Sequence, residues 1–339
     1  SATVVTNNNL VASGQTLTVD ASGITTSSNS FTWNGAAETD GKFSITGSAG
    51  KDTITGGAGD DTFNMGSNLT SSDSIDGGAG NDTLIYKDVG GTTELNGVVN
   101  VEKIVFTNTS TSATVVTNNN LVASGQTLIV DASSINSANA FTWNGAAETN
   151  GRFNITGGAG DDSIIGGAGN DTIDGGAGTN DIAGYSAAAT NYSIQRNDDG
   201  TLTVTDNRSS PSDGTDTLSN IEGLSFNGAN SITPISTLSD KNNATNTIAE
   251  NSANGTVVGL TATATGTSVT YSLTDSANGR FAINSSSGVV TVADGTQLNY
   301  ENATSHNITV KATSTNGSFT THVFSIAVTN LDEVAPTFT

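Results

Sequence analysis

The sequence predicts an all-β chain: two parallel β-roll modules at residues 1–111 and 112–233, then a Greek-key β-sandwich at 234–339. Three observations predict it. Nine-residue glycine-rich units recur in two blocks, and a segment of roughly 110 residues is present twice. Beyond Pro234 the glycine-rich turns thin out and longer alternating apolar runs take over. No helical period stands out anywhere.

The duplication sets the frame. ATVVTNNNLVASGQTL (2–17) recurs unchanged at 113–128, FTWNGAAET (31–39) recurs at 141–149, and GKFSITG (41–47) returns as GRFNITG (151–157). In each unit Thr, Val and aromatic residues alternate (17–19 and 31–33 in the first), which reads as strand and turn. The nonapeptides follow. GGAGDDSII, GGAGNDTID and GGAGTNDIA run without a gap over 157–183, and an earlier block lies at 47–64 and 77–85. Their spacing fits G-G-x-G-x-D-x-U-x, with U a large apolar residue. Ile54, Phe63 and Leu84 hold that position in the first block, with Ile75 in a longer, degenerate unit at 66–76; Ile164, Ile173 and Ile182 hold it in the second. Period-two alternation turns them inward. A solvated Gly/Asp loop would leave that recurrence unexplained.

NVEKIVF (100–106) closes the first block; 192–194, 201–205 and DGTDTLSNIEGLSF (213–226) close the second. These read as β segments covering the open end of a stack, since a solenoid must hide its last apolar layer. Strands are expected at 255–261, 269–273, 280–284, 289–292, 307–312 and 319–328, a count that suits a sandwich. Pro234 and Pro336 flank that segment as linker residues.

Composition narrows the function. With 10 Lys+Arg against 32 Asp+Glu, the net charge of -22 disfavours nucleic acid and calls for cations. Cysteine is absent, so no disulfide holds the fold. No apolar run approaches the roughly 20 residues of a membrane helix. No signal peptide is visible at Ser1, so the chain is expected to be an excerpt of a longer protein. H-E-x-x-H and G-x-S-x-G are missing and the acids belong mostly to the repeats, so no enzyme is expected. His306 and His322 sit in or beside sandwich strands, and Trp33 and Trp143 are expected to pack between coils, with sugar stacking a minor alternative.

Calcium is the cation the repeat chemistry selects. Glycines bring turn backbones close, so that carbonyl oxygens converge, and the sixth-position carboxylate adds a hard anionic oxygen. A cage of such oxygens suits calcium and is a poor fit for magnesium. The expected metal residues in the first block are Asp52, Asp61, Asp73 and Asp82, with turn glycines Gly56, Gly57, Gly59, Gly77, Gly78 and Gly80. In the second they are Asp162, Asp171 and Asn180, with Gly157, Gly158, Gly160, Gly166, Gly167, Gly169, Gly175, Gly176 and Gly178. With two nonapeptides per coil, Asp61 faces Asp82, Asp52 faces the turn of Asp73, and Asp162 faces Asn180. The Asn180 site loses a charge and should be weaker. Asp171 needs a partner from the closing segment that the spacing does not identify.

In these motifs the chain resembles the RTX family of calcium-binding nonapeptide repeats, and DGTDTLSNIEGLSF is similar to segments that follow such repeats. The resemblance implies parallel β-rolls holding several calcium ions between neighbouring turns. It also implies a secreted or cell-surface protein, exported by the type I route of a Gram-negative bacterium. Residues 247–338 resemble a cadherin-like repeat: Ala249-Glu250-Asn251, Leu298-Asn299-Tyr300-Glu301 and the linker from Asn330 to Pro336 match its motifs. That implies Glu250, Glu301, Asp332 and Glu333 as calcium ligands at a domain junction. Ala262, Ala264 and Ser314 stand where the family has aspartates, so part of the set is lost. The expected function is a calcium-stiffened adhesive or structural segment that touches a glycan or another cell. The alternatives are the non-catalytic calcium region of a secreted enzyme or toxin, and a self-associating surface-layer or matrix protein.

Overall fold

The computed structural model describes residues 1–210, 212–229 and 231–331. Compactness divides the chain into two units: Ser1–Tyr192 with Val204–Ile232, and Ser193–Thr203 with Thr233–Thr339.

The first unit is the repeat region. Strands β1 (Ala2–Val5), β2 (Thr16–Asp20), β3 (Ser30–Asn34), β4 (Lys42–Thr46), β5 (Lys51–Thr55), β6 (Thr62–Gly66), β7 (Ser74–Asp76), β8 (Thr83–Tyr86), β9 (Val98–Val99) and β10 (Lys103–Phe106) alternate between two parallel sheets. The alternation continues through β11 (Ala113–Val116), β12 (Thr127–Asp131), β13 (Phe141–Asn144), β14 (Arg152–Thr156), β15 (Ser163–Ile165), β16 (Thr172–Asp174) and β17 (Ile182–Tyr185). After an excursion through β18 (Tyr192–Arg196) and β19 (Leu202–Asp206), β20 (Thr215–Ser219) and β21 (Gly223–Phe226) resume it. One face of the roll is continuous, in the order β2-β4-β6-β8-β10-β12-β14-β16-β20. The other is two sheets, β1-β3-β5-β7-β9 and β11-β13-β15-β17-β21. The blocks at 1–111 and 112–233 are therefore joined through the parallel pairing of β10 with β12.

Period-two alternation builds the core. Along the continuous face Val19, Ile45, Phe63, Leu84, Ile104, Val130, Ile155, Ile173 and Leu218 are register partners in succession. Trp33, Ile54, Ile75 and Val98 do the same on the first opposite sheet, and Val115, Trp143, Ile164, Ala183 and Leu224 on the second. Each inward side chain rests on its counterpart one coil away, so the lost packing of a Leu84→Ala change costs about 2–5 kcal/mol.

Two expectations are corrected here. Ile182 is only half-buried, and Ala183 is the inward residue at 0% exposure, because the third nonapeptide carries one extra residue in its turn. The closing segments also do more than cover the stack. β20 and β21 form a further coil, in register with β16 and β17. Ser193–Thr203, read as part of that cover, belongs to the second unit.

The second unit is a Greek-key sandwich. Its strands are β22 (Ser239–Asp240), β23 (Thr247–Ala249), β24 (Val257–Thr263), β25 (Thr270–Asp275), β26 (Phe281–Ile283), β27 (Val289–Val292), β28 (Ser305–Thr313) and β29 (Ser318–Thr329). One sheet runs β22-β24-β27-β26; the other is built on the antiparallel partners β25, β28 and β29. β18 pairs in parallel with the start of β29 and β23 with its end. The core between the sheets includes Val258, Leu260, Val290, Ile308, Val310 and Ile326, all at 0% exposure.

Candidate metal centre

Each repeat turn delivers its aspartate at or just before the start of a strand, where the chain passes from one sheet to the other. Asp52, Asp61, Asp73, Asp82, Asp162 and Asp171 are all buried. What receives them is the main chain of the preceding coil. The amide of Asp52 donates to Asp73 Oδ1 at 2.7 Å, and the amide of Asp61 donates to Asp82 Oδ1 at 2.7 Å. Phe43 N–H donates to Asp61 Oδ1, Phe141 N–H to Asp162 Oδ1 and Phe153 N–H to Asp171 Oδ1, at 2.7, 2.7 and 2.8 Å. Second oxygens clamp the residue's own turn: Gly57 N–H reaches Asp61 Oδ2 at 2.7 Å, Gly158 N–H reaches Asp162 Oδ2 at 2.6 Å, and Ser48 N–H reaches Asp52 Oδ2 at 2.8 Å. The carboxylates thus form ladders that climb from coil to coil.

The glycines let the turns touch. A Cβ on Gly78 would lie 2.3 Å from the Gly57 carbonyl oxygen, and Gly78 itself has φ +96°, where a side chain is strained. By the same measure Gly56 lies against Gly77, Gly80 against Gly59, Gly157 against Gly175, Gly176 against Gly158 and Gly178 against Gly160. Gly167 and Gly169 meet Gly145 and Gly151 instead, and a Cβ on Gly145 would lie 2.4 Å from the Gly166 carbonyl oxygen, so the segment Gly145-Ala146-Ala147-Glu148 is itself a turn of the stack.

Asp162 does not face Asn180. Its amide donates to Asp181 Oδ1 at 2.7 Å, and Asn180 is exposed. The extra residue at Thr179 or Asn180 pushes the ladder position to Asp181, so that rung keeps its charge. The partner of Asp171 is Asp216, whose Oδ1 accepts the Asp171 amide at 2.9 Å. Two ladders end on glutamates of the closing runs: Glu102 Oε2 accepts the amide of Asp82 at 2.7 Å, and Glu222 Oε2 that of Asp181 at 2.9 Å. Both follow an Asn with positive φ, Asn100 (51°) and Asn220 (50°), whose amides hold Asp76 and Asp174 at 2.8 and 2.7 Å. The common signal Asn-x-Glu before an apolar strand was present in the sequence. Glu38 and Glu148, both buried in the duplicated GAAET turns, are further acids that spacing did not single out.

Burial raises the carboxyl groups of these ladders. Asp82 and Asp171 are each pushed up to about 7, Asp181 to about 6 and Asp216 to about 8, chiefly by desolvation and further by neighbouring carboxylates. Asp52, Asp61 and Asp162 are raised for the same leading reason. Asp82 Oδ2, Asp171 Oδ2, Asp181 Oδ2 and Glu148 Oε2 are buried with no partner among the described residues. Unpaired buried anionic oxygens are costly, and beside converging turn carbonyls they fit a hard cation taken up by oxygen ligands. Among the described residues no three acidic or histidine side chains converge on one point, so main-chain oxygens would have to complete any such shell.

In the sandwich, Glu250 is buried, and its two oxygens accept the amides of Tyr300 and Leu331 at 3.0 and 2.9 Å. Those bonds hold its carboxyl below the usual glutamate value. Glu301 is exposed, and Asp332 and Glu333 lie outside the described residues. Trp33 and Trp143 are buried edge-on against Phe43 and Phe153, centroids 5.2 and 5.3 Å apart, which removes them as sugar platforms. His322 Nδ1 lies 2.9 Å from Asp198 Oδ1, and burial lowers the pKa of His306.

The RTX calcium-binding nonapeptide repeat matches in four copies, over residues 44–67, 70–86 and 154–184. No curated protein matches the chain. Similar solved structures include Drosophila N-cadherin EC1-4, at 19% identity and TM-score 0.26 over 38% of this chain and 32% of that one. Mouse cadherin-23 EC22-24 is similar at 24% identity and TM-score 0.24, over 39% of this chain and 42% of that one. The chain therefore spans less than half the length of either structure. In its repeat blocks, the stretches whose turns stack carboxylate on carboxylate, the chain carries sequence that matches the RTX calcium-binding nonapeptide repeat.

Proposed function

We propose that this chain is a calcium-folded, calcium-stiffened structural and adhesive segment of a large secreted or cell-surface bacterial protein. One observation carries the reading: Asp82, Asp171 and Asp181 each hold a buried carboxylate oxygen that no group among the described residues satisfies. The proposed ligands are the ladder acids Asp52, Asp61, Asp73, Asp82, Asp162, Asp171 and Asp181, completed by carbonyl oxygens of the stacked glycine turns. Asp216, Glu102 and Glu222 end the ladders.

The energetics favour a folding role for the ion. Ordering glycine-rich backbone costs roughly 1–2 kcal/mol per residue, and the stacked carboxylates repel one another. An ion that binds only the folded roll stabilises it by about 4 kcal/mol per site at a thousandfold excess over its Kd. Several sites together convert an unstable stack into a stable one. The roll then presents a rigid, repeated surface, which supports the adhesive part of the proposal.

Far-UV circular dichroism in EGTA, followed by added calcium, tests the folding role. The β signal should appear only with calcium, and a spectrum indifferent to EGTA would sink it. Glycan-array binding with and without calcium tests adhesion. Calcium-dependent binding to a defined glycan is expected; a blank array on folded protein overturns glycan adhesion while leaving the folding role intact.

A further inference from the structure

The duplicated segment provides an internal experiment: one sequence of sixteen residues sits in two environments. Residues 2–17 and 113–128 are identical, yet Val115 is 1% exposed where Val4 is 38%, and Leu121 is 2% exposed where Leu10 is 47%. Leu128 and Val130 are buried, while Leu17 and Val19 remain half-exposed. What covers the second copy is the coil at residues 88–108. β10 pairs in parallel with β12, Val116 N–H donates to Thr92 O at 2.9 Å, and Ile129 N–H donates to Glu102 O at 2.9 Å. Asp88 Oδ2 accepts the amide of Thr114 at 2.6 Å, and Lys103 reaches Asp131 at 3.5 Å. Phe106 is fully buried with its ring 5.0 Å from that of Phe141.

Every group that receives this coil has a counterpart in the first copy. Among the described residues β1 and β2 each end their sheet with one edge unpaired. Thr3, Val5 and Thr18 occupy the places of Thr114, Val116 and Ile129, and the exposed Asp20 that of Asp131. Ala2, Asp20, Ala21, Gly23, Ile24 and Phe31 line an open recess of about 260 Å³. Of their counterparts in the second copy, Phe141 packs its ring on that of Phe106, and Ser134, at the place of Gly23, donates from Oγ to the Phe106 carbonyl at 2.7 Å.

We infer that residues 2–24 form a docking face for the closing coil of another module of this kind, with the chemistry of residues 88–108. An acid and a carbonyl row meet the free amides of β1 and β2, a lysine meets Asp20, and a phenylalanine fills the recess. The occupant is a further module in tandem. A second copy of this chain cannot supply it, because its own residues 88–108 are already spent on 113–134. Parallel strand addition with an apolar plug makes the face selective for that coil.

The test grafts residues 88–111 directly ahead of Ser1 in the full chain. Ser1 matches Ser112, so the graft recreates the internal junction. Amide hydrogen exchange is followed by mass spectrometry in excess calcium. Thr16–Asp20 should slow at least about tenfold, toward the rate of Thr127–Asp131 in the same molecule. A graft bearing I104D and F106D should leave it fast. In a second chain all of residues 1–111 are placed ahead, so the coil is held by its own roll; here half of the Thr16–Asp20 signal should slow. The inference is overturned if Thr16–Asp20 exchanges at the ungrafted rate in both chains, or if the aspartate graft slows it equally. Fast exchange at Thr127–Asp131 as well would instead count against the calcium-folded roll itself.

Discussion

The two units of this chain solve the burial problem in opposite ways. The sandwich closes two sheets over aliphatic and aromatic side chains, and among its described residues the only buried acid is Glu250, whose oxygens are spent on main-chain amides. The roll has an apolar interior too, but at its turns it buries Asp52, Asp61, Asp73, Asp82, Asp162, Asp171, Asp181 and Asp216 in stacked rows. A fold that places like charges on consecutive rungs is incomplete as a polypeptide and calls for a cation. A fold that buries hydrocarbon is complete.

The largest effect expected is therefore selective melting. In EGTA, amide protection should vanish from β4, β6 and β8 and persist in β28 and β29; coincident loss from both would break the contrast. Next comes backbone contact. Gly78→Ala puts a methyl group 2.3 Å from the Gly57 carbonyl at φ +96° and should cost about 2–4 kcal/mol of roll stability by calorimetry. Gly279→Ala in the sandwich has φ +84° but open space around it, so about 1 kcal/mol is expected.

A smaller, two-signed effect follows from Asp82→Asn. The amide keeps the acceptor for Asp61 N–H and removes a charge that burial disfavours, so the calcium-free roll should gain stability. Calcium affinity by isothermal titration should fall about tenfold, or 1.4 kcal/mol. If both quantities moved down, the ladder would be a structural device and not a metal site.

The pH dependence is the gentlest probe. Asp82, Asp171, Asp181 and Asp216 have folded values of about 7, 7, 6 and 8 against an ordinary 3.8, so the folded roll binds more protons than the unfolded chain between those limits. Their contribution is fully present below 3.8 and lost as pH rises through 6 to 8. At limiting calcium, as the ion is withdrawn, the roll should thus keep more of its β signal at pH 5 than at pH 8. Excess calcium should reverse the order, since protons then compete with the ion. Glu250 is held low, so its contribution is present above the ordinary 4.5 and is lost only below it; the sandwich should show no gain at pH 5.

Much of this was legible in the sequence because each element writes its own period. The duplicated FTW marked Trp33 for packing between coils, the nonapeptide position turned Leu84 inward, and the repeat spacing put Asp82 one coil beyond Asp61. What escaped was any pairing that spans an irregularity. One residue inserted before Asp181 moved the ladder off Asn180 and the core off Ile182, because a turn absorbs an insertion that a strand cannot. Asp171 meets Asp216 across 45 residues because β18 and β19 intervene in the chain before the next coil closes. Glu102 and Glu222 escaped because a ladder end need not obey the nonapeptide.

The junction between the two blocks has a mechanical meaning. On one face β8, β10 and β12 carry it with unbroken main-chain bonding. On the other, β9 and β11 end separate sheets, and the crossing relies on Thr92, Asp88, Asn96 and Asn118. Such a joint is a hinge with a single leaf. Bending that opens the side-chain face meets a few isolated hydrogen bonds, whereas bending the other way must shear a parallel ladder. The two faces of the seam therefore differ in stiffness, with the continuous sheet on the stiffer side.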